Sequence, residues 1–262
     1  MRGKSLFWGL VLILLGALFL LQNSGVLAID VWELFWPLLL IILGLSVILR
    51  RASSSAPETE MLDVPLHDAT KARITLRHGA GRLRLGSGAG ADSLLSGEFS
   101  GGVRADVRPE GSTVKVALRQ PSDLFPFPGW GGDGLNWEIA LNPGVVLTLD
   151  VEAGANDSRL DLSDLLVSEL RLRTGASATR VMMPASAGYT EADIRSGAAA
   201  VTVEIPPEVA ASIRTRGALA TVDVDQERFP REGQMYRSPE YEAAQNKIEM
   251  NVETGVGNIT IR

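Results

Sequence analysis

Hydrophobic residues are distributed along this chain in two different ways. From Leu6 to Leu21 ("LFWGLVLILLGALFLL") and again from Leu34 to Leu49 ("LFWPLLLIILGLSVIL") the sequence is apolar without interruption and carries no charge. Uncharged apolar runs near 20 residues are the length that crosses a bilayer as a helix. The pattern predicts a two-helix membrane module over residues 1–51, with helices at about 6–27 and 32–49. Beyond it the pattern changes to alternation, apolar then polar, in short stretches broken by glycine. Alternation of period two predicts β-strands with one buried face.

The alternating part contains a recurring frame. "ITLRHGAGRLRL" (residues 74–85) and "MNVETGVGNITI" (residues 250–261) both place an apolar residue three before a glycine and two more at four and six after it. Looser copies centre on Gly154, Gly175 and Gly197, and a further copy fits if Arg216 takes the glycine slot; the steps are 21, 22 and 19 residues. A period near twenty with alternating apolar positions predicts stacked β-coils, because no single coil can bury its apolar face alone. The expected fold is a membrane hairpin followed by an all-β, β-solenoid-like domain, each coil turning at a glycine where positive φ is cheap. A β-sandwich with evenly spaced turns is the alternative. In either case the final copy, Val252 to Arg262, reads as the last rung, with Ile259 and Ile261 buried.

The expected organisation follows. Residues 52–60 are a small, polar, Pro-bearing linker. Residues 61–146 form the N-terminal part of the β-domain, with an aromatic Pro/Gly loop at 121–137, and residues 147–262 carry the regular repeats. Inside 61–146, "GEFSGGVRADVRPEGSTVKVALR" alternates like antiparallel strands around a Pro-Glu-Gly-Ser turn.

Charge fixes a direction for the anchor. Arg2 and Lys4 precede the first apolar run and Arg50 and Arg51 follow the second, while the loop between carries only Asp30 and Glu33. Positive flanks stay on the cytoplasmic side, so the reading is a multi-pass plasma-membrane protein with its β-domain in the cytoplasm. A cleaved signal at "VLA" would instead place that domain outside the cytoplasm. Trp8, Trp32 and Trp36 near the span ends, with Arg50 and Arg51, are the expected membrane-interface residues. The whole chain carries −6 and residues 1–51 carry +2, so the remainder carries −8. The expected partners are the lipid bilayer and another membrane protein, a sensor kinase or a second copy; an acidic domain of this kind is not drawn to nucleic acid.

Candidate chemistry is sparse. There are no cysteines and two histidines, His67 and His78, both read as solvent-facing turn residues. "GAGRLRLGSGAGAD" has the letters of a phosphate loop but lacks its Lys-Ser/Thr end and lies between strands. No catalytic residue, cofactor site or metal site is expected, and the chain reads as a non-enzyme. The one candidate partner-binding element is the aromatic loop, with Phe125, Phe127, Trp130 and Trp137; the competing reading is a structural cover for the end of the stack.

Two stretches resemble known families. The second apolar run, "WELFWPLLLIILGL" closing on arginines, resembles the LiaI/LiaF-type transmembrane region of bacterial envelope-stress proteins. The glycine-centred copies ending in "GVGNITI", with residues around 60–150, resemble the toast-rack β-domain found behind such modules. The resemblance implies a membrane-anchored accessory regulator that modulates a cell-envelope stress sensor. The alternative function is an extracytoplasmic adhesin-like or envelope structural and binding protein.

Overall fold

The computed structural model describes residues 59–121 and 135–262, and these all fall within a single unit, Ala56–Arg262. The expected membrane helices at 6–27 and 32–49, and the interface residues Trp8, Trp32, Trp36, Arg50 and Arg51, lie outside the described residues. Among the described residues there is no helix; fourteen strands join in one sheet system.

Six long rungs lie parallel and in register. They are β2 (Lys71–Ser87), β7 (Val146–Asp161), the pair β8 (Leu166–Thr174) and β9 (Ala178–Met182), β10 (Tyr189–Glu204), β14 (Lys247–Ile261) and β11 (Ala210–Val224). Each rung has two arms meeting at a corner near its middle. Side chains alternate in and out along both arms, as period two requires. In-register apolar residues therefore stack into columns. One first-arm column runs Leu76, Val151, Leu172, Ile194, Val252. A second-arm column runs Leu85, Leu160, Val181, Val203, Ile261, Val224. Both belong to one continuous apolar core. The outward face carries charge instead: Glu152 pairs with Arg77 at 3.1 Å and Arg173 at 3.0 Å, and Glu253 with Arg195 at 3.7 Å and Arg216 at 3.3 Å. Exposed pairs of this kind contribute little stability, about 0–1 kcal/mol each, so the buried columns decide the register.

The corners differ from the sequence expectation in their physics. Gly154, Gly175, Gly197 and Gly255 stack on one another, but none has a positive φ. What they need is room. A Cβ on Gly154 would stand 2.2 Å from the Gly79 carbonyl oxygen, one on Gly175 3.0 Å from that of Gly154, one on Gly197 3.2 Å from that of Gly175, and one on Gly255 2.8 Å from that of Gly197. Glycine is thus selected by backbone-to-backbone approach. In β11, Arg216 aligns with Glu253 and Gly217 with Thr254, so Arg216 lies two positions before the level of the Gly255 corner.

The C-terminal rung is also placed differently. β14 is not the end of the stack. It lies between β10 and β11 and pairs in parallel with both along its full length. Ile261 sits between Val203 and Val224, and Ile259 between Val201 and Val222, with both isoleucines fully buried. The short connection from β10 to β11 therefore spans a place filled by the last strand of the chain. Arg228 fastens that connection, donating to Ile205 O at 2.8 Å and Pro206 O at 2.9 Å, and Arg262 N donates to Val203 O at 3.0 Å. The polar excursion after β11, with β12 (Arg231–Glu232) and β13 (Met235–Arg237), returns the chain to the start of this slot.

The first rung is covered on its outer side. β5 (Thr113–Arg119) pairs with the first arm of β2 and β6 (Asn136–Leu141) with the second. β4 (Arg104–Glu110) forms the expected hairpin with β5, turning at Gly111 with φ 62°. β3 (Ser93–Ser100) and β1 (Thr59–Pro65) extend the sheet antiparallel beyond β6. The stretch with phosphate-loop letters lies on β2 and the turn after it, as strand rather than helix N-terminus.

Two outcomes follow. Gly154→Ala in the 56–262 fragment should cost about 1–3 kcal/mol, from backbone displacement in a packed interior, and more than Gly197→Ala, whose added carbon meets its neighbour 1 Å farther away; urea unfolding of both variants checks the order. Removing the last eight residues takes an arm out of the middle of the sheet and leaves two facing edges unpaired. The shortened fragment should lose cooperative unfolding altogether, and Ile261→Asp, which buries an unpaired carboxylate, should cost several kcal/mol in the same assay.

Candidate functional site

One gathering of polar and aromatic side chains in the core lies at the covered end of the stack, where the aromatic loop joins the first rung. Ile74, Leu76 and His78 alternate inward along β2, so His78 points into the core at the last position before the corner. It is buried, not solvent-facing as the sequence reading had it; His67 is the exposed turn residue, with φ 50°. The His78 ring lies against Trp137 with centroids 5.1 Å apart, and Trp137 meets Phe99 edge-on, also at 5.1 Å.

Trp137 belongs to β6, in register with Leu83 on one side and Phe99 on the other, and is fully buried. Its place is the core beneath the loop, and it offers no surface to a partner; the expected loop at 121–137 ends before Asn136, where β6 begins. Phe125, Phe127 and Trp130 lie outside the described residues. Both stems of their loop are described, and both are tied to the same corner. Gly79 N donates to Gln120 Oε1 at 2.8 Å, and Gln120 Nε2 donates to Ala80 O at 3.3 Å. On the other stem Leu135 O accepts from Arg82 N at 3.0 Å and lies 3.3 Å from His78 Nε2. Gly81, with φ 119°, is needed here because a Cβ would come 2.1 Å from Leu135 O.

The hydrogen bonds define the histidine. Nε2–H donates to Leu135 O, and Nδ1 accepts from Asn156 Nδ2 at 3.3 Å. This is one neutral tautomer with both ring nitrogens engaged. Burial lowers its pKa from 6.5 to about 4, opposed in part by the hydrogen bond to Leu135. Neither ring nitrogen is directed at a nucleophile, so the group serves as a clamp between the first rung, the second rung and the loop stem. Trp137 Nε1, Asn156 Oδ1 and Ser158 Oγ are buried without a partner among the described residues. Among the described residues no group of three or more His, Cys, Asp or Glu side chains is arranged to hold a metal. The alternation Ile74–Leu76–His78 was the signal for the buried histidine; its partner Asn156, 78 residues away, had none.

Residues 52–204 match the family described as "N-terminal domain of toast_rack, DUF2154". The chain belongs to the toast-rack family. Residues 6–48 match the LiaI-LiaF-like transmembrane region, so this is a membrane-anchored toast-rack protein. A comparison with curated proteins finds no match. Among solved structures, a protein from Clostridium sporogenes whose description proposes a role in cell adhesion shares the toast-rack domain's fold. It has TM-score 0.72 and 22% identity, over 78% of this chain and 98% of that one. An adhesin candidate from Bacteroides fragilis aligns over 80% of this chain and 100% of its own at TM-score 0.30 and 10% identity. The family match stops at Glu204, the end of β10, so β11 and the inserted β14 lie beyond it.

The clamp predicts a pH dependence. Since the folded-state pKa of His78 lies below the unfolded value, the unfolded chain takes up the proton first as pH falls. The contribution is fully present above about 6.5, is lost progressively as pH drops toward about 4, and then levels off. The loss amounts to about 3 kcal/mol at most. Urea midpoints of the 56–262 fragment between pH 7.5 and 4 should fall less steeply for His78→Gln than for the parent, a difference to which the carboxylates common to both do not contribute.

Proposed function

We infer that this chain is a non-enzymatic, membrane-anchored regulatory or scaffolding protein that modulates a cell-envelope stress sensor. Its two-helix anchor places both ends, and the toast-rack domain, in the cytoplasm. The observation that carries the reading is the succession of the two family matches, a LiaI-LiaF-like region at 6–48 and a toast-rack domain from 52. A β-domain that directly follows a membrane region in sequence suits a protein that acts with another membrane protein. The basic flanks Arg2, Lys4, Arg50 and Arg51 support the inward orientation. The engagement of both His78 ring nitrogens with main chain and amide supports a binding role over catalysis. The register of the six rungs supports a solenoid-like reading of the domain, with the qualification that its rungs are not stacked in chain order.

The second reading is an extracytoplasmic adhesin-like protein. It is favoured by the fold shared with the Clostridium sporogenes protein, and it requires the opposite sidedness.

Sidedness separates the two. The chain has no native cysteine, and Ala176 is exposed beside the Gly175 corner. Ala176→Cys should resist a membrane-impermeant maleimide in intact cells and react after permeabilisation. Ready labelling of intact cells would reverse the assignment in favour of the adhesin-like reading.

A further inference from the structure

The two ends of the stack are finished differently. The outer edge of β2 is paired along both arms, by β5 and β6. The outer edge of β11 is paired by β13 only at Ser212–Arg214. From Thr215 to Val224 its outer main-chain groups have no strand partner among the described residues. Proteins commonly blunt such edges with proline and dense charge. β4, exposed along its whole length, does so with Pro109 and the charged Arg104, Asp106, Arg108 and Glu110. The open part of β11 has no proline, and next to it Leu219 is 77% exposed and its in-register neighbour Val256 52%.

Where β13 stops, Arg214, Arg216 and Arg231 line a cleft of about 180 Å³ together with Thr215, Gln234 and Tyr236. Arg216 pairs with Glu253 at 3.3 Å, but that carboxylate is shared with Arg195. Arg214 Nη2 reaches only the Met235 sulfur at 3.6 Å, and Arg231 Nε donates to Gly233 O at 3.1 Å. Neither meets a carboxylate among the described residues. In a region of net charge −8, three guanidinium groups thus surround one small cleft with a single shared counter-charge.

We propose that the outer edge of β11 from Thr215 to Val224 is a docking strand for an extended acidic segment of another polypeptide. The segment adds to the sheet by main-chain pairing, places a carboxylate among Arg214, Arg216 and Arg231, and lays an aliphatic side chain on Leu219 and Val256. Guanidinium groups suit this role because they grip carboxylates through paired, charge-assisted hydrogen bonds. The cleft is too small to track a polyphosphate backbone, and the acidic domain around it repels one. The proposal deepens the scaffold reading and rests on it: it names the surface by which the domain would hold its partner and the chemistry of that partner.

The test uses the full chain in detergent micelles and a fluorescein-labelled peptide of alternating glutamate and valine, with a lysine-for-glutamate version as control. Fluorescence anisotropy should show saturable binding of the acidic peptide, weakened by salt, and none of the basic one. Arg214→Glu with Arg231→Glu, both at exposed side chains, should lower affinity about tenfold or more, and Leu219→Lys should weaken it as well. Circular dichroism checks that the variants keep their fold. Equal binding of both peptides, no binding of the acidic one, or unchanged affinity in the double variant would overturn the proposal. So would a wild-type dimer in size-exclusion chromatography that the double variant abolishes, since the edge would then serve a second copy. A domain that labels as cytoplasmic yet ignores the peptide loses its docking strand and keeps its scaffold role; outward labelling with intact peptide binding does the reverse.

Discussion

The described domain depends on how closely the corner of one rung approaches the next. Main chain meets main chain there, with a carbonyl oxygen of one glycine where the Cβ of the next would stand. A side chain at that point would push neighbouring rungs apart and tilt the arms on either side. With the corners in contact the arms fall into register, and register decides what stacks on what. Leu stands over Val over Leu along one arm, and Val over Val over Ile along the other. Burial of these columns is the main favourable term in folding. The outward ion pairs repeat the same register in charge, but at solvent-exposed positions they can only reinforce it.

The inserted C-terminal strand changes what kind of stack this is. In a simple repeat protein each unit contacts its neighbours in chain order, and stability adds along the axis. Here the last strand of the chain separates two rungs that are consecutive in sequence. The β10–β11 connection holds open a place that is filled only when residues 247–261 arrive. This makes the far half of the stack a single cooperative unit built on long-range contacts, the kind that folds slowly because chain closure precedes the reward. It also makes the end of the chain an internal structural member, held by Arg262 on the main chain of β10 and by Arg228 on the preceding connection.

The two ends of the stack are finished differently. One is sealed by β5 and β6 and fastened to the aromatic loop through Gln120, Leu135 and a neutral, buried His78. The other leaves most of one strand edge open beside three arginines. The described domain is thus closed by paired strands at one end and carries a largely unpaired edge at the other.

Much of this could be read from the sequence. Alternation in "ITLRHGAGRLRL" and its copies gave strands and buried faces, because side-chain direction in a strand is a local property of period two; the same alternation points His78 inward, against its reading as a solvent-facing turn residue. The glycine spacing gave the rung length, and the proline-free apolar ending "GVGNITI" gave burial of Ile259 and Ile261. What the sequence could not supply were the facts that depend on which rung neighbours which. Arg216 falls outside the corner because β14 fixes the register of β11, setting Arg216 opposite Glu253. Trp137 leaves the aromatic loop for the core because β2 and β3 flank it. Asn156 meets His78 because rungs one and two stack across 78 residues of chain. Strand order carries no local signal: β10 and β11 would alternate identically whether or not β14 lay between them, and only the packing of the whole stack decides that it does.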